Sequence, residues 1–175
     1  IDTELNKILT SMPLAFDIAG TPLAINYTLP YDPIVTGISV QVDTFALIVN
    51  KKHPNLNPPI TAPAKLPGFQ PDGLQIQVMI TDYTLNSGFF SAFEAGVLHT
   101  VITQADLPQE IKLTTSFLDG IFPGILEKYG DNPCEIDCVA NKAPKLQSHS
   151  AGQHYPKGVI MGEIQAGCGI VVINN

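Results

Sequence analysis

Hydrophobic and polar residues alternate along several stretches of the chain, which is the pattern expected of half-buried β-strands. The longest such stretch, 34–49, places Ile38, Val40 and Val42 between polar residues and ends in the wholly apolar run Leu47-Ile48-Val49. This stretch is the clearest strand prediction in the sequence. Further strands are predicted at 18–29, 74–80, 97–103, 111–117, 134–140 and 158–173.

Other apolar residues recur every three or four positions, which favours amphipathic helices. The middle one of three predicted helices starts after an N-cap at Asn86 or Ser87 and ends at Gly96, which can take the left-handed conformation. The three predicted helices cover residues 2–12, 88–95 and 120–129.

A proline-rich stretch interrupts these patterns. Six prolines fall within residues 50–71. Proline removes a backbone donor and fixes φ, so such a density excludes a helix or a central strand and favours a stiff, extended linker. The sequence therefore predicts a linker at 51–72, with one structured segment on each side, and an α+β fold class.

Composition and charge narrow the function classes. Hydrophobic residues make up 45% of the chain, charged residues make up 14%, and the formal net charge is −7. Without basic clusters we expect no nucleic-acid partner and no electrostatic capture of anionic lipid headgroups, so any lipid contact would depend on apolar burial. There is no run of 18 apolar residues, so we expect no membrane-spanning segment. Because the sequence starts at Ile1 without a signal peptide, we expect a processed or truncated chain.

Candidate catalytic chemistry is sparse. The sequence has no Gly-x-Ser-x-Gly elbow and no glycine loop that would cradle a phosphate. Ser148, His149, Ser150 and His154 crowd one stretch, but neighbours on a polar turn rarely face one another productively. We therefore predict that the chain is not an enzyme and holds no cofactor.

The three cysteines allow several interpretations: a zinc site, a disulfide or free thiols. Cys134, Cys138, His149 and His154 come close to zinc-finger spacing. If 134–140 is a strand, however, Cys134 and Cys138 lie about 13 Å apart, too far for one zinc ion or one disulfide. We predict no metal site and favour a cross-strand disulfide between Cys138 and Cys168, with three reduced thiols as the alternative.

A glycosylation sequon is also present. Residues Asn26-Tyr27-Thr28 form an Asn-x-Thr sequence, which predicts an N-linked glycan on Asn26 if the chain is secreted.

One long segment carries a family resemblance. Residues 81–98 read Thr-Asp-Tyr-Thr-Leu-Asn-Ser-Gly-Phe-Phe-Ser-Ala-Phe-Glu-Ala-Gly-Val-Leu. This segment resembles the start of the second barrel in the family of bactericidal/permeability-increasing and lipopolysaccharide-binding proteins, where a strand ending in Asp-Tyr leads into a short helix and then Glu-Ala-Gly-Val-Leu. The resemblance continues, in order, at residues 25–27, 57–63, 113–117, 128–129 and 144–173.

The resemblance implies a fold and a place within it. The fold is a strongly bent antiparallel sheet wrapped on helices, as parts of two tubular lipid-binding barrels joined by a proline-rich linker. Residues 1–50 would be the end of the first barrel, 51–72 the linker and 73–175 the first half of the second barrel. The partner of such a slice would be the remainder of the same protein or a larger assembly.

The resemblance also implies a function: non-catalytic binding and transfer of a phospholipid or other acyl lipid, in a secreted or luminal protein that contacts membrane surfaces. The alternative is a structural or interaction module with the same fold and no lipid exchange. The acidic charge argues against endotoxin binding, and the family's conserved disulfide belongs to a segment absent here. Side chains predicted to line the lipid groove, or else to form an ordinary core, are Phe89, Phe90, Phe93, Val97, Ile121, Ile125 and Leu126.

Overall fold

The computed structural model describes residues 14–62, 66, 68, 76–152 and 154–173. The helix predicted at 2–12 lies outside these residues. The chain divides into two compact units. The first unit comprises Ile1–Ala95 with Pro144–Glu163, and the second comprises Gly96–Ala143 with Ile164–Asn175.

Short antiparallel strands and a few helices make up both units, which confirms the predicted α+β class. The strands are β1 Ala15–Asp17, β2 Leu23–Asn26, β3 Ile34–Val35, β4 Val40–Gln41, β5 Leu47–Asn50, β6 His99–Ile102, β7 Cys134–Ala140, β8 Lys145–His149, β9 Val159–Glu163 and β10 Ala166–Val172. The α-helices are α1 Asp82–Glu94, α2 Thr115–Leu118 and α3 Ile125–Tyr129, and a 3₁₀-helix spans Gln104–Asp106.

The first unit holds three of the sheets. Strands β1, β2 and β5 pair in that order, while β3 pairs with β4 and β8 pairs with β9. The pairing of β2 with β5 sets Ile25 opposite Ile48. Because β2 is central, β5 lies at an edge of its sheet, and the backbone groups on its outer side need partners of another kind.

The prediction of one long strand at 34–49 is wrong. The Thr36 hydroxyl accepts hydrogen bonds from the backbone N–H groups of Ile38 (3.3 Å) and Ser39 (3.0 Å), which turns the chain between β3 and β4. A second break falls at Ala46, where φ is +44°. A short hydroxyl side chain that bonds to nearby backbone competes with strand pairing. The alternation of hydrophobic and polar residues cannot predict this competition.

Two further strand predictions are wrong. Residues 76–80 pair with no strand in the described part of the chain. Residues 111–117 form no strand: Thr114 makes an isolated bridge to Pro133, and its hydroxyl accepts a hydrogen bond from the Phe117 N–H (3.3 Å) and caps helix α2. The predictions at 97–103 and 134–140 are confirmed by β6 and β7, and 158–173 divides into β9 and β10.

Helix α1 begins at Asp82, six residues before the predicted start, with Thr81 as its N-cap. The predicted caps Asn86 and Ser87 lie inside the helix, where Asn86 bonds to β8 and Ser87 bonds to β5. The predicted end is confirmed: Gly96 has a φ of +70° directly after the C-cap.

Two serines attach α1 to the outer edge of β5. The Ile48 N–H donates to the Ser87 hydroxyl oxygen (3.0 Å), and the Ser91 hydroxyl donates to the Ile48 carbonyl (2.9 Å). Residues four apart share a helix face, so the two hydroxyls reach both backbone groups of one strand residue. Both serines are fully buried.

Gly88 lies on the same side of the helix. A β-carbon at this position would lie 2.9 Å from the Ile48 Cδ1 atom. The Ile48 Cβ atom would lie at an ordinary 3.8 Å, so a β-carbon at position 88 would need only a small shift of the Ile48 side-chain end.

Asn86 attaches the same helix to β8. Its amide group donates to the Leu146 carbonyl (2.8 Å), and its carbonyl oxygen accepts from the Leu146 N–H (2.7 Å). The Asn86 side chain thus takes the place of a neighbouring strand residue. Helix α1 satisfies backbone groups on two sheets of the first unit.

The second unit is built on the sheet β10-β7-β6. Leu113, Leu118 and Cys134 form its buried cluster. Partly buried residues that pack on this cluster are Leu107, Ile125, Ile136, Ile170 and Val172. Cys138 lies directly opposite Cys168 in the β7–β10 register, and the two form a disulfide, as predicted.

Candidate functional site

A cavity of about 440 Å³ lies in the first unit. Its wall combines strand β2, the loop between β4 and β5, the extended segment before α1, and the first turn of α1. Lining residues on these elements include Ile25, Tyr27, Val42, Asp43, Thr44, Phe45, Ala46, Val78, Met79, Ile80, Thr81, Tyr83 and Thr84.

Two features shape the loop at 42–46. The Phe45 N–H donates to the Thr28 carbonyl (3.0 Å), which ties the loop to the end of β2. Ala46 then takes a left-handed φ of +44°, which bends the chain into β5. The bend leaves the side chains of Val42 and Phe45 to line the cavity instead of extending a strand.

The cavity is open along the segment 76–80. Val78 is 79% exposed and Ile80 is 69% exposed, although both line the cavity. A patch of large apolar side chains exposed to solvent is typical of a surface that binds a ligand or a partner. The geometry is therefore that of an apolar groove with an open side.

The polar side chains in the described cavity wall are hydroxyls, apart from the carboxylate of Asp43. Asp43 accepts a hydrogen bond from the Gln41 side-chain amide (3.0 Å) through one carboxylate oxygen. Burial raises the pKa of the Tyr83 phenol above its ordinary value, so this hydroxyl stays protonated at neutral pH. The wall can therefore bury an aliphatic chain and offer a small number of hydrogen bonds beside it, which is the usual make-up of a ligand pocket of this volume.

A depression of about 860 Å³ in the second unit is more open to solvent. Its lining includes two charged residues, Lys112 and Glu135. Charged groups lose hydration when an aliphatic chain covers them. The first-unit cavity is more enclosed and has one charged lining residue, so it is the better candidate for an apolar ligand.

The seven predicted groove residues fall in different parts of the molecule. Phe89, Phe90 and Phe93 lie half-buried on α1 in the first unit. In the second unit Val97 is 45% exposed, Ile121 is 64% exposed, and Ile125 packs on the buried cluster. Leu126 is also half-buried there.

None of the seven is among the described residues that line the first-unit cavity, and their contact with lipid stays a prediction. The residues that do line it, such as Phe45, Val78 and Tyr83, were not singled out from the sequence. The one available signal was Tyr83, which falls in the Thr81–Tyr83 motif of the family resemblance.

The cysteines are accounted for in the second unit. Cys138 is bonded to Cys168 and is unavailable to a metal. Cys134 is a buried free thiol whose pKa is raised by burial and then by the Asp131 carboxylate, so it stays protonated and unreactive at neutral pH. Among the described residues, no three or more His, Cys, Asp or Glu side chains gather around a point that could hold a metal ion.

Asn26, the predicted glycan site, lies half-buried at the end of β2. Its side-chain oxygen accepts hydrogen bonds from the N–H and the hydroxyl of Thr28. Glycosylation at Asn26 stays a prediction. No helix in the described part of the chain has the length and hydrophobicity needed to cross a bilayer.

Comparison with known proteins identifies the family. The model described as "LBP / BPI / CETP family, C-terminal domain" matches residues 18–160. The chain therefore belongs to the LBP/BPI/CETP family, as the motif at 81–98 predicted. The match runs on both sides of the proline-rich stretch, and the domain boundaries placed at 51–72 stay a prediction.

A solved structure is also similar. The crystal structure of lipopolysaccharide binding protein matches with a TM-score of 0.39 and 19% sequence identity, and the match covers 98% of this chain. It covers 45% of that chain, so the present chain spans less than half the length of this neighbour. Comparison with curated proteins found no match. Members of the LBP/BPI/CETP family are lipid-binding, non-catalytic and generally secreted proteins.

Proposed function

We propose that this chain is a non-catalytic lipid carrier of the secreted or luminal space, and that it holds an acyl chain in the first-unit cavity. The observation that supports the proposal most directly is an open, apolar cavity in a member of a lipid-binding family. In this mechanism a lipid leaves a membrane, lies against the apolar wall and is released at another membrane.

Burial of the aliphatic chain provides the driving force. Each methylene group removed from water contributes roughly 0.8 kcal/mol, so a chain that fills the groove binds without any specific polar contact. The exposed side chains of Val78 and Ile80 gain in the same way, because the lipid covers them. The passive mechanism needs no nucleophile and no cofactor.

Single-tryptophan variants test where the lipid binds. The chain contains no tryptophan, so Phe45→Trp places a unique fluorophore in the cavity wall. A lipid with brominated acyl chains should quench its fluorescence strongly. The matched control is Val139→Trp on β7 of the second unit, where the side chain is 50% exposed and lies outside the cavity wall.

Equal quenching in both variants would show that lipid covers the surface non-specifically, and no quenching in either would remove the cavity from the proposal. Transfer is tested separately with labelled donor vesicles and unlabelled acceptors. The full chain should accelerate the movement of lipid between them, whereas a structural module with the same fold should leave the rate at the spontaneous value.

A further inference from the structure

The described wall of the first-unit cavity carries one formal charge, at Asp43. The Asp82 carboxylate is next to the lining residues Thr81 and Tyr83 in the sequence, but it contacts the Ser148 hydroxyl on β8 (3.4 Å). An anionic ligand group beside Asp43 would therefore lie near a like charge and gain no ion pair from the described wall.

The N-terminus of helix α1 also borders the cavity, and the positive end of its dipole attracts anions. The unbonded N–H groups of a helix N-terminus carry roughly half a positive charge. Asp82 already lies in this first turn and supplies a full negative charge there. Asp82 therefore offsets the helix dipole, and Asp43 is the formal charge that a ligand meets at the described wall.

The hydrogen-bonding groups of the wall suit a hydroxyl-bearing ligand. A carboxylate accepts hydrogen bonds and donates none, so Asp43 binds a ligand that donates. One of its oxygens is engaged by Gln41. The Tyr83 phenol, which stays neutral, can accept or donate. A ligand hydroxyl can donate to Asp43 and remain uncharged.

We propose that the cavity selects amphiphiles with an uncharged, hydroxyl-bearing head group and discriminates against those with an anionic head. The inference rests on the proposed lipid-binding function and adds the class of lipid. Asp43 is its specificity-determining residue. Like charges about 4 Å apart near a protein surface repel by more than the roughly 1.4 kcal/mol that corresponds to a factor of ten in affinity, so we expect at least about tenfold discrimination.

Three amphiphiles with the same oleoyl chain isolate the effect of the head group. They are 1-monooleoylglycerol, oleate and oleoyl lysophosphatidic acid, each used below its micelle concentration at neutral pH. Dissociation constants are measured with the full chain carrying Phe45→Trp, by displacement of the brominated lipid. Monooleoylglycerol should bind at least about tenfold more tightly than either anion, because the acyl contribution is constant across the series.

Asp43→Asn tests the assigned residue. The asparagine amide is isosteric with the carboxylate, keeps an oxygen for the Gln41 bond and removes the charge. The affinity for oleate should therefore rise, and the ratio of the dissociation constants of oleate and monooleoylglycerol should fall. The matched control is Asp17→Asn, which changes the net charge equally in the same unit. Asp17 pairs with Lys51 (3.2 Å) and does not line the cavity, so this variant should keep the native ranking.

Each outcome separates the two proposals. Binding of the anions as tightly as monooleoylglycerol overturns the selectivity and leaves lipid binding intact. An equal fall of that ratio of dissociation constants in Asp17→Asn and Asp43→Asn assigns the effect to net charge and overturns the role of Asp43. If the brominated lipid quenches the tryptophan of Phe45→Trp but none of the three amphiphiles displaces it, the selectivity is also overturned. If the brominated lipid does not quench this tryptophan, the proposed lipid-binding function itself is contradicted.

Discussion

Ala46 connects the cavity wall to the sheet through a backbone conformation that residues with a β-carbon rarely adopt. Its φ of +44° places the β-carbon close to the following carbonyl, at a cost of roughly 1–2 kcal/mol. The residue lies in the wall itself. Strained backbone of this kind is concentrated at ligand sites, where the surrounding structure holds it in place.

Replacement of Ala46 by Gly should stabilise the chain. The relief of roughly 1–2 kcal/mol of strain exceeds the roughly 0.4–1 kcal/mol lost to the greater freedom of glycine in the unfolded chain. Denaturant unfolding should therefore give a midpoint above that of the native chain. Ala24→Gly on the buried strand β2, where φ is not positive, should lower the midpoint. A matching decrease in Ala46→Gly would show that position 46 carries no strain.

At the scale of elements, helix α1 serves as a side-chain partner for strand edges. Ser87 and Ser91 engage both backbone groups of Ile48, and Asn86 engages both backbone groups of Leu146. Each of these contacts replaces a bond that a neighbouring strand would make. The helix is thus positioned by directional bonds as well as by its apolar residues.

Ser91→Ala should destabilise the first unit by about 1–3 kcal/mol, because it leaves the Ile48 carbonyl without a partner beside a fully buried helix face. The free energy of unfolding from denaturant titration measures the loss. Ser116→Ala is the control: this exposed serine on α2 bonds only to the Thr114 hydroxyl among the described residues, and its loss should stay within about 0.5 kcal/mol. Equal effects of the two substitutions would contradict the assigned role of Ser91.

Elements were predictable where hydrophobic alternation acts alone. Strand β7 occupies residues 134–140 as predicted, because both of its edges pair with backbone and no side chain intervenes. Three predictions failed where a short polar side chain bonds to backbone, at Thr36, Thr114 and Asn86. Each such hydrogen bond depends on a residue distant in the sequence or on a local turn, and the spacing of hydrophobic residues predicts neither.

At the scale of the whole molecule, the disulfide belongs to the second unit. Cys138 and Cys168 are separated by 30 residues and join β7 to β10. Closing a loop of this length restricts the unfolded chain and contributes roughly 3–4 kcal/mol in the chain-entropy model. The buried cluster around Leu113 and Cys134 is small, so the bridge is a large part of what keeps this unit folded.

The double variant Cys138→Ser and Cys168→Ser should therefore exchange amide hydrogens faster in β7 and β10. Mass spectrometry of peptides from these strands measures the change, with helix α1 in the first unit as the internal reference. Treatment of the native chain with a reductant should reproduce the result. Unchanged protection in β7 and β10 would show that packing alone holds the sheet.

The candidate site was less predictable than the fold. Phenylalanines on a helix look alike in sequence whether they lie in a core or line a groove, so Phe89 and Phe93 could not be assigned. The wall residues Phe45 and Val78 lie in segments with strand-like alternation, and their position depends on the bend at Ala46 and on the absence of a strand partner in the described part of the chain. The family, in contrast, was readable from one contiguous motif at 81–98.

The serine contacts on β5 also bear on aggregation. Residues 45–49 form an apolar run without proline or charge, which is the composition of segments that stack into cross-β fibrils. A helix offers no continuing row of backbone groups, so a second chain cannot add a strand where α1 is seated. Ser87 and Ser91 therefore end the sheet, and loosening of the helix would leave an edge open to amyloid growth.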